Sequence, residues 1–159
     1  MNRERRVTAT PSPGRLALAV VMLCAVSGPV AAQAIEYRSA GSALIVRDAP
    51  SSEGRQLFRL LPGTPVEIVV SQDGWVRVRD PEGALNWVER QALSTRRTVL
   101  VTAERAVIRR EPRETAAPAF EATRRVVLEL AEPPTLGWAR VRHAQGLEGY
   151  VRASEVWGL

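Results

Sequence analysis

The chain has 159 residues, a formal net charge of +5, no lysine, one cysteine and one histidine. Cys24 falls within the first 34 residues, so the rest of the chain offers no thiolate for a disulfide, a metal or a nucleophile, and His143 alone makes no zinc site. Residues 1–34 hold a net +3 of the +5, which leaves +2 on the remainder; so balanced a surface argues against nucleic acid, which demands a basic stripe.

Arg3 to Arg15 is basic, Leu16 to Val26 is continuously apolar, and Ala32-Gln33-Ala34 places small residues where a signal peptidase reads them. This order predicts a Sec-type signal peptide over 1–34, cleaved near Ala34 (Ala32 is the other possible site), and a periplasmic or secreted protein. The apolar run is shorter than the roughly 20 residues that span a bilayer, so no membrane span is expected after its removal. Leu23 before Cys24 does not suit a lipoprotein signal, and Val7-Thr8-Ala9 after Arg5-Arg6 does not suit twin-arginine export.

Residues 36–93 read as a first unit of short strands. Ala43 to Arg47 is rich in β-branched residues and ends in the turn-rich Asp48 to Gly54. Gln56 to Leu61 follows, then a turn at Leu61-Pro62-Gly63-Thr64. Val66 to Val70 is a strand, and Asp73-Gly74 is a hairpin signal. Trp75-Val76-Arg77-Val78-Arg79 alternates, with Trp75, Arg77 and Arg79 on one face and the valines on the other. After Asp80-Pro81-Glu82-Gly83, Leu85 to Val88 is the fifth strand, and Glu89 to Leu93 reads as a closing 3₁₀ turn.

Residues 94–98 read as a linker too short to let two units move apart, and 99–159 repeat the first unit at an offset of 62, then 63. Ile45-Val46-Arg47 matches Val107-Ile108-Arg109, Phe58 matches Phe120, Gly74-Trp75 matches Gly137-Trp138, and Trp87-Val88 matches Tyr150-Val151. The shift in offset falls in Ala131 to Leu136. Leu61 to Pro65 has become Thr123 to Val127, without its turn chemistry. Asn86 stands opposite Gly149, which suggests a left-handed backbone there. The expected fold is all-β: two tandem small five-stranded barrels, each of roughly 60 residues and marginal alone.

The segments Arg47-Asp48-Ala49-Pro50, Pro62-Gly63-Thr64-Pro65-Val66, Gly74 to Val78 and Asn86-Trp87-Val88 resemble a bacterial SH3-like domain. The resemblance is to the exported tandem type, and its second copy, residues 99–159, is degenerate. It implies five-stranded SH3-like barrels acting as ligand-binding or targeting modules of the cell envelope, often beside peptidoglycan hydrolases. No hydrolase domain is recognisable here. The aromatic-rich segment with which eukaryotic relatives grip proline-rich peptides is missing near Ala43 to Asp48, so that mode is not implied.

No serine sits in a nucleophile elbow and no glycine-rich phosphate loop occurs, so the expectation is a non-enzyme without cofactor or metal. Trp75, Arg77 and Arg79, with Trp138, Arg140 and Arg142, are the candidate ligand-binding residues. A tryptophan beside alternate arginines offers an aromatic floor and forked donors to a carboxylate, such as those of peptidoglycan stem peptides. The competing reading is a solvated face whose arginines pair with neighbours such as Glu67 or Glu129. Trp87 and Tyr150, each followed by a valine, are expected to be structural aromatics that fill or close the barrel. The expected partner is peptidoglycan peptide or a periplasmic protein, with an adaptor role on an envelope enzyme as the alternative. Oligomeric state is not legible.

Overall fold

The structure, a computed structural model, describes residues 35–159, and the leader expected over 1–34 lies outside them. The described chain forms two antiparallel sheets in tandem. The first contains β1 (Glu36–Ala40), β2 (Leu44–Arg47), β3 (Gln56–Leu60), β4 (Pro65–Gln72), β5 (Trp75–Arg79), β6 (Leu85–Glu89) and β7 (Leu93–Ser94), in the order β3-β2-β6-β5-β4-β1-β7. The second contains β8 (Thr98–Val101), β9 (Arg105–Arg109), β10 (Pro118–Thr123), β11 (Val127–Leu130), β12 (Trp138–Arg142), β13 (Glu148–Arg152) and β14 (Val156–Trp157), in the equivalent order β10-β9-β13-β12-β11-β8-β14. One 3₁₀ turn precedes the last strand of each sheet, at Arg90–Ala92 and Ala153–Glu155.

The all-β tandem fold is as expected, but each sheet has seven strands rather than five. The additions to the first are β1 and the two-residue β7. Glu36-Tyr37-Arg38-Ser39-Ala40 lacks a β-branched run and shows little strand character by itself. It becomes a strand because β4 and β7 pair with it on either side, a tertiary effect that overrides propensity.

Each sheet wraps its own core. In the first, Ala40, Leu44, Val46, Leu60, Val66, Val76, Val78 and Val88 form one buried cluster. In the second, Val99, Val101, Ala106, Ile108, Ala122, Leu128, Ala139, Val141, Val151 and Val156 do so. Each cluster draws on strands from one edge of its sheet to the other, which requires the sheet to curl around it. Each fully buried valine or leucine contributes about 1.5–3 kcal/mol relative to exposure.

Two hairpins show how the copies keep one geometry with unequal residues. Asp73 and Gly74 take φ of 44° and 85°, and Leu136 and Gly137 take 49° and 81°, the two-residue turn with both central residues left-handed. Asp tolerates this conformation; an exposed leucine does not favour it. Likewise Arg125 takes φ 71° where the first copy has Gly63 at 80°, so the turn survives although its chemistry is gone. Pro133 and Pro134 cannot donate to a ladder, which is why β11 ends at Leu130 while β4 runs eight residues.

Gly149 is not left-handed, and neither is Asn86, contrary to the sequence expectation. The reason for Gly149 is proximity: a Cβ there would lie 2.6 Å from the Arg109 carbonyl oxygen and 2.6 Å from Ile108 Cγ2.

The repeats are joined along the connecting segment. Ser39 Oγ donates to the Arg96 carbonyl at 2.6 Å, Thr98 Oγ1 donates to the Gly63 carbonyl at 2.7 Å, and Arg97 Nη2 donates to the Gly158 carbonyl at 2.8 Å. Tyr37 and Trp157 meet edge to face at 5.3 Å, with the Arg97 guanidinium over the Tyr37 ring.

Two substitutions test these backbone assignments in urea unfolding. Gly149→Ala is expected to cost about 1–3 kcal/mol by overpacking. Leu136→Asn, at a side chain 95% exposed, is expected to gain up to about 1 kcal/mol by relieving the left-handed leucine.

Candidate functional site

Strand alternation sorts the candidate residues. Val76, Val78 and Val88 point into the first core, so Trp75, Arg77 and Arg79 face outward, as their spacing predicts. Trp87 faces outward with them, because it pairs directly with Arg77 across β5–β6. Neither Trp87 nor Tyr150 belongs to a buried cluster, which differs from the expectation that they fill or close the barrel. The buried clusters are aliphatic side chains and small residues, with Phe120 packed against the second, and Trp75, Trp87, Trp138 and Tyr150 lie half-buried on the outer face.

A row runs across the first sheet: Arg47 opposite Trp87, Trp87 opposite Arg77, and Arg77 opposite Val70. The second sheet repeats it as Arg109, Tyr150 and Arg140. Arg47 and Arg109 play the same local part. Each donates to a carbonyl of the following loop, Gly54 at 2.6 Å and Ala116 at 2.8 Å. Sequence reading singled out Arg77 and Arg140 but missed these two, whose signal was their equivalence across the repeat.

The rows differ in what their second arginine does. Arg77 is exposed and, among the described residues, its guanidinium has neither an ion pair nor a hydrogen-bond partner. Arg79 is held by Glu67 at 3.0 Å. In the second sheet Arg140 is bound by both Glu132 and Glu148, and Glu148 also takes Arg142 Nε at 2.6 Å. Glu148 was not anticipated. It lies directly across β12–β13 from Arg142, a pairing that counting back from the hairpin would have found. The hydrogen bond and charge of Arg142, then those of Arg140, hold the Glu148 carboxyl below the usual glutamate range. The hydrogen bond to Glu132 is the main cause of the raised pKa of Arg140.

Trp138 packs under the Arg152 guanidinium at 5.8 Å. With Pro112, Pro133, Leu136, Arg140 and Tyr150 it lines a pocket of about 190 Å³. His143 is part of a turn: its Nδ1 accepts from the Gln145 amide, and its ring sits against Phe120. Among the described residues no group of three or more His, Cys, Asp and Glu side chains is placed to hold a metal ion, and no helix is long and apolar enough to cross a membrane.

The strand order, the inward valines and the repeated outer row recur in both sheets, and the family described as bacterial SH3 domain matches the chain twice, over residues 40–95 and 102–158. The chain belongs to that family. Comparison with curated proteins finds no match to this tandem bacterial SH3 protein. Among solved structures, NlpC2 from Trichomonas vaginalis is similar at 16% identity and a TM-score of 0.35, over 79% of this chain and 48% of that one. NlpC1 from the same organism is similar at 19% identity and a TM-score of 0.36, over 91% of this chain and 51% of that one. An NlpC/P60 family protein from Bacillus cereus is similar at 18% identity and a TM-score of 0.33, over 77% of this chain and 56% of that one. The tandem SH3 chain thus spans about half the length of these structures.

The ion-pair network of the second repeat makes a pH prediction. Because the folded-state pKa of Glu148 is depressed, its contribution to stability is complete above the usual glutamate range and is lost as pH falls through the lowered value. A side-chain carboxyl titration by NMR is expected to place Glu148 below ordinary glutamates. Arg142→Ala is expected to raise it more than Arg140→Ala does.

Proposed function

We propose that the protein is a non-catalytic binding module of the periplasm whose first repeat holds carboxylate-bearing ligands, peptidoglycan stem peptides foremost. The observation that carries this reading is Arg77: an exposed guanidinium with no partner among the described residues, directly opposite Trp87 and two residues from Trp75 on the same face. A guanidinium matches a carboxylate with two parallel N–H donors, and flanking indole faces give the ligand an apolar floor. The second repeat is the poorer candidate, because Arg140 and Arg142 are already neutralised by Glu132 and Glu148. The periplasmic placement rests on the leader. The non-catalytic reading rests on the chain beyond residue 34 having no cysteine, one histidine and no nucleophile motif.

Retention on purified sacculi is the test. Trp75→Ala and Arg77→Ala are each expected to lower retention about tenfold, the equivalent of one charge-assisted contact, while Trp138→Ala and Arg140→Ala leave most of it. No retention of the unaltered protein, or retention indifferent to Trp75 and Arg77, would falsify the reading.

A second reading, an adaptor on an envelope protein, is favoured by a groove of about 600 Å³ between the repeats. It is lined by Phe58, Leu61, Leu100 and Val127, with Leu61 72% exposed. It runs along β3, an edge strand that carries exposed Leu57 and Phe58 and no proline, whereas the equivalent edge β10 begins with Pro118. The occupant that fits is an extended segment of an envelope protein. It would pair with the β3 backbone, place apolar side chains in the groove and set a carboxylate against Arg59, which has no ion pair among the described residues. A photo-crosslinker at Leu57 is expected to trap such a segment, identified by mass spectrometry, and Leu61→Asp is expected to abolish it. Crosslinks only to a second copy, or to segments without apolar alternation, overturn this reading.

A further inference from the structure

The outer row is not the only place where the two copies differ in charge. In the first repeat Glu67 is paired with Arg79, and the residue across β5–β6 from Arg79 is Leu85. In the second repeat the corresponding position is Glu148, which draws Arg142 to itself. Glu129, the counterpart of Glu67, is therefore left without an ion pair or hydrogen bond among the described residues, although it lies across β11–β12 from Arg142.

Glu129 is half-buried, and it lines a cleft of about 470 Å³ formed by both repeats and the segment that joins them. That volume is in the range of small-molecule sites, about 300–1,000 Å³, which favour the boundary between domains. Gly41 and Gly63 keep the first-repeat wall low, and Arg96 stands in the connecting segment. The guanidinium of Arg96 also has no partner among the described residues. The hydroxyls nearby are committed: Ser39 donates to the Arg96 carbonyl, Thr98 donates to the Gly63 carbonyl, and Ser94 accepts from the Arg96 amide. Among the described residues, what the cleft leaves unanswered is one carboxylate and one guanidinium, with no ion pair between them.

We propose that this inter-repeat cleft binds a short zwitterionic peptide, its ammonium on Glu129 and its carboxylate on Arg96. Glu129 makes no direct ion pair or hydrogen bond among the described residues, and a ligand ammonium supplies that contact. Arg96 supplies the forked donors that a terminal carboxylate accepts. The two signs together set the ligand class. A purely anionic ligand meets Glu129, and a purely cationic one meets Arg96 and Arg142. The site is separate from the Trp75–Arg77 face, and it stands whether or not that face binds.

The test is an NMR titration of the full chain with dialanine, in L,L and D,D forms, followed at the Gly41 and Gly63 amides. Dialanine is expected to shift both amides saturably. N-acetylation or C-terminal amidation of the peptide is expected to weaken binding about tenfold or more, the loss of one charge-assisted hydrogen bond. Glu129→Gln, an isosteric change, is expected to weaken free dialanine but not the acetylated peptide, and Arg96→Ala to weaken free dialanine but not the amidated one. Equal binding of all three peptides, shifts confined to Trp75 and its neighbours, or no shift at Gly41 and Gly63 overturns the proposal. Unchanged sacculus retention in Glu129→Gln and Arg96→Ala keeps this outcome distinct from that of the outer face.

Discussion

The constraint on which the rest depends is the size of the barrel interior. A unit of roughly 60 residues encloses little space, and each core here is filled by valine, alanine, leucine and isoleucine. Once Val76, Val78 and Val88 occupy it, period-2 alternation forces every second residue of β5 and β6 outward. Trp75, Trp87, Arg77 and Arg79 are on the surface for that reason, and the same holds for Trp138, Tyr150, Arg140 and Arg142. The outer row of arginine, aromatic and arginine is a consequence of packing the inside with small aliphatic side chains. Its half-buried rings are then available for contacts that a core aromatic could not make.

On that shared frame, a glutamate on β13, with Glu132 beside it, separates the electrostatics of the copies. Leu85 in the first repeat and Glu148 in the second occupy the same cross-strand position. With leucine there, Arg79 turns to Glu67 and Arg77 has no partner among the described residues. With glutamate there, Arg142 turns to Glu148, Arg140 is shared between Glu148 and Glu132, and Glu129 has no partner among the described residues. Exposed ion pairs of this kind contribute little to stability, so the exchange is nearly neutral for the fold. Its effect is on which charges remain unpaired, and therefore on what each repeat presents to a ligand. Two copies with one backbone plan thus offer different surfaces: an open cationic face on one, and an anionic group at the seam on the other.

The fold was largely legible in the sequence. The period-2 runs, the Asp73-Gly74 turn and the repeat offset identify the tandem β units, and the outward face of Trp75, Arg77 and Arg79 follows from alternation alone. What was not legible has a common cause, dependence on partners distant in the chain. β1 has no strand signature until β4 and β7 flank it. Gly149 looked like a left-handed position, and only the approach of β9 shows that it is glycine for want of space. Trp87 and Tyr150 looked structural because large apolar rings usually dominate small cores. Their exclusion depends on how full the interior already is, which no local pattern records. Arg125 in a left-handed turn shows the converse, a conformation kept by the surrounding sheet after its favourable residue was lost.

The segment between the repeats carries more than connectivity. Arg96, Arg97 and Thr98 each tie it to one or the other barrel, through Ser39, Gly158 and Gly63. Gly158 is held so closely that a Cβ would lie 2.9 Å from both Pro65 Cβ and the Thr98 carbonyl oxygen. These bonds tie the second barrel to β1 and to the turn before β4 of the first, and the open cleft beside them is lined by both repeats and the segment between them. A ligand entering it need not draw two loose domains together, and the entropy that closure would cost is already met in the folded chain. A tandem arrangement therefore gains from a short, bonded connection what two separate barrels on a flexible linker would lack: a preorganised site that neither barrel possesses alone.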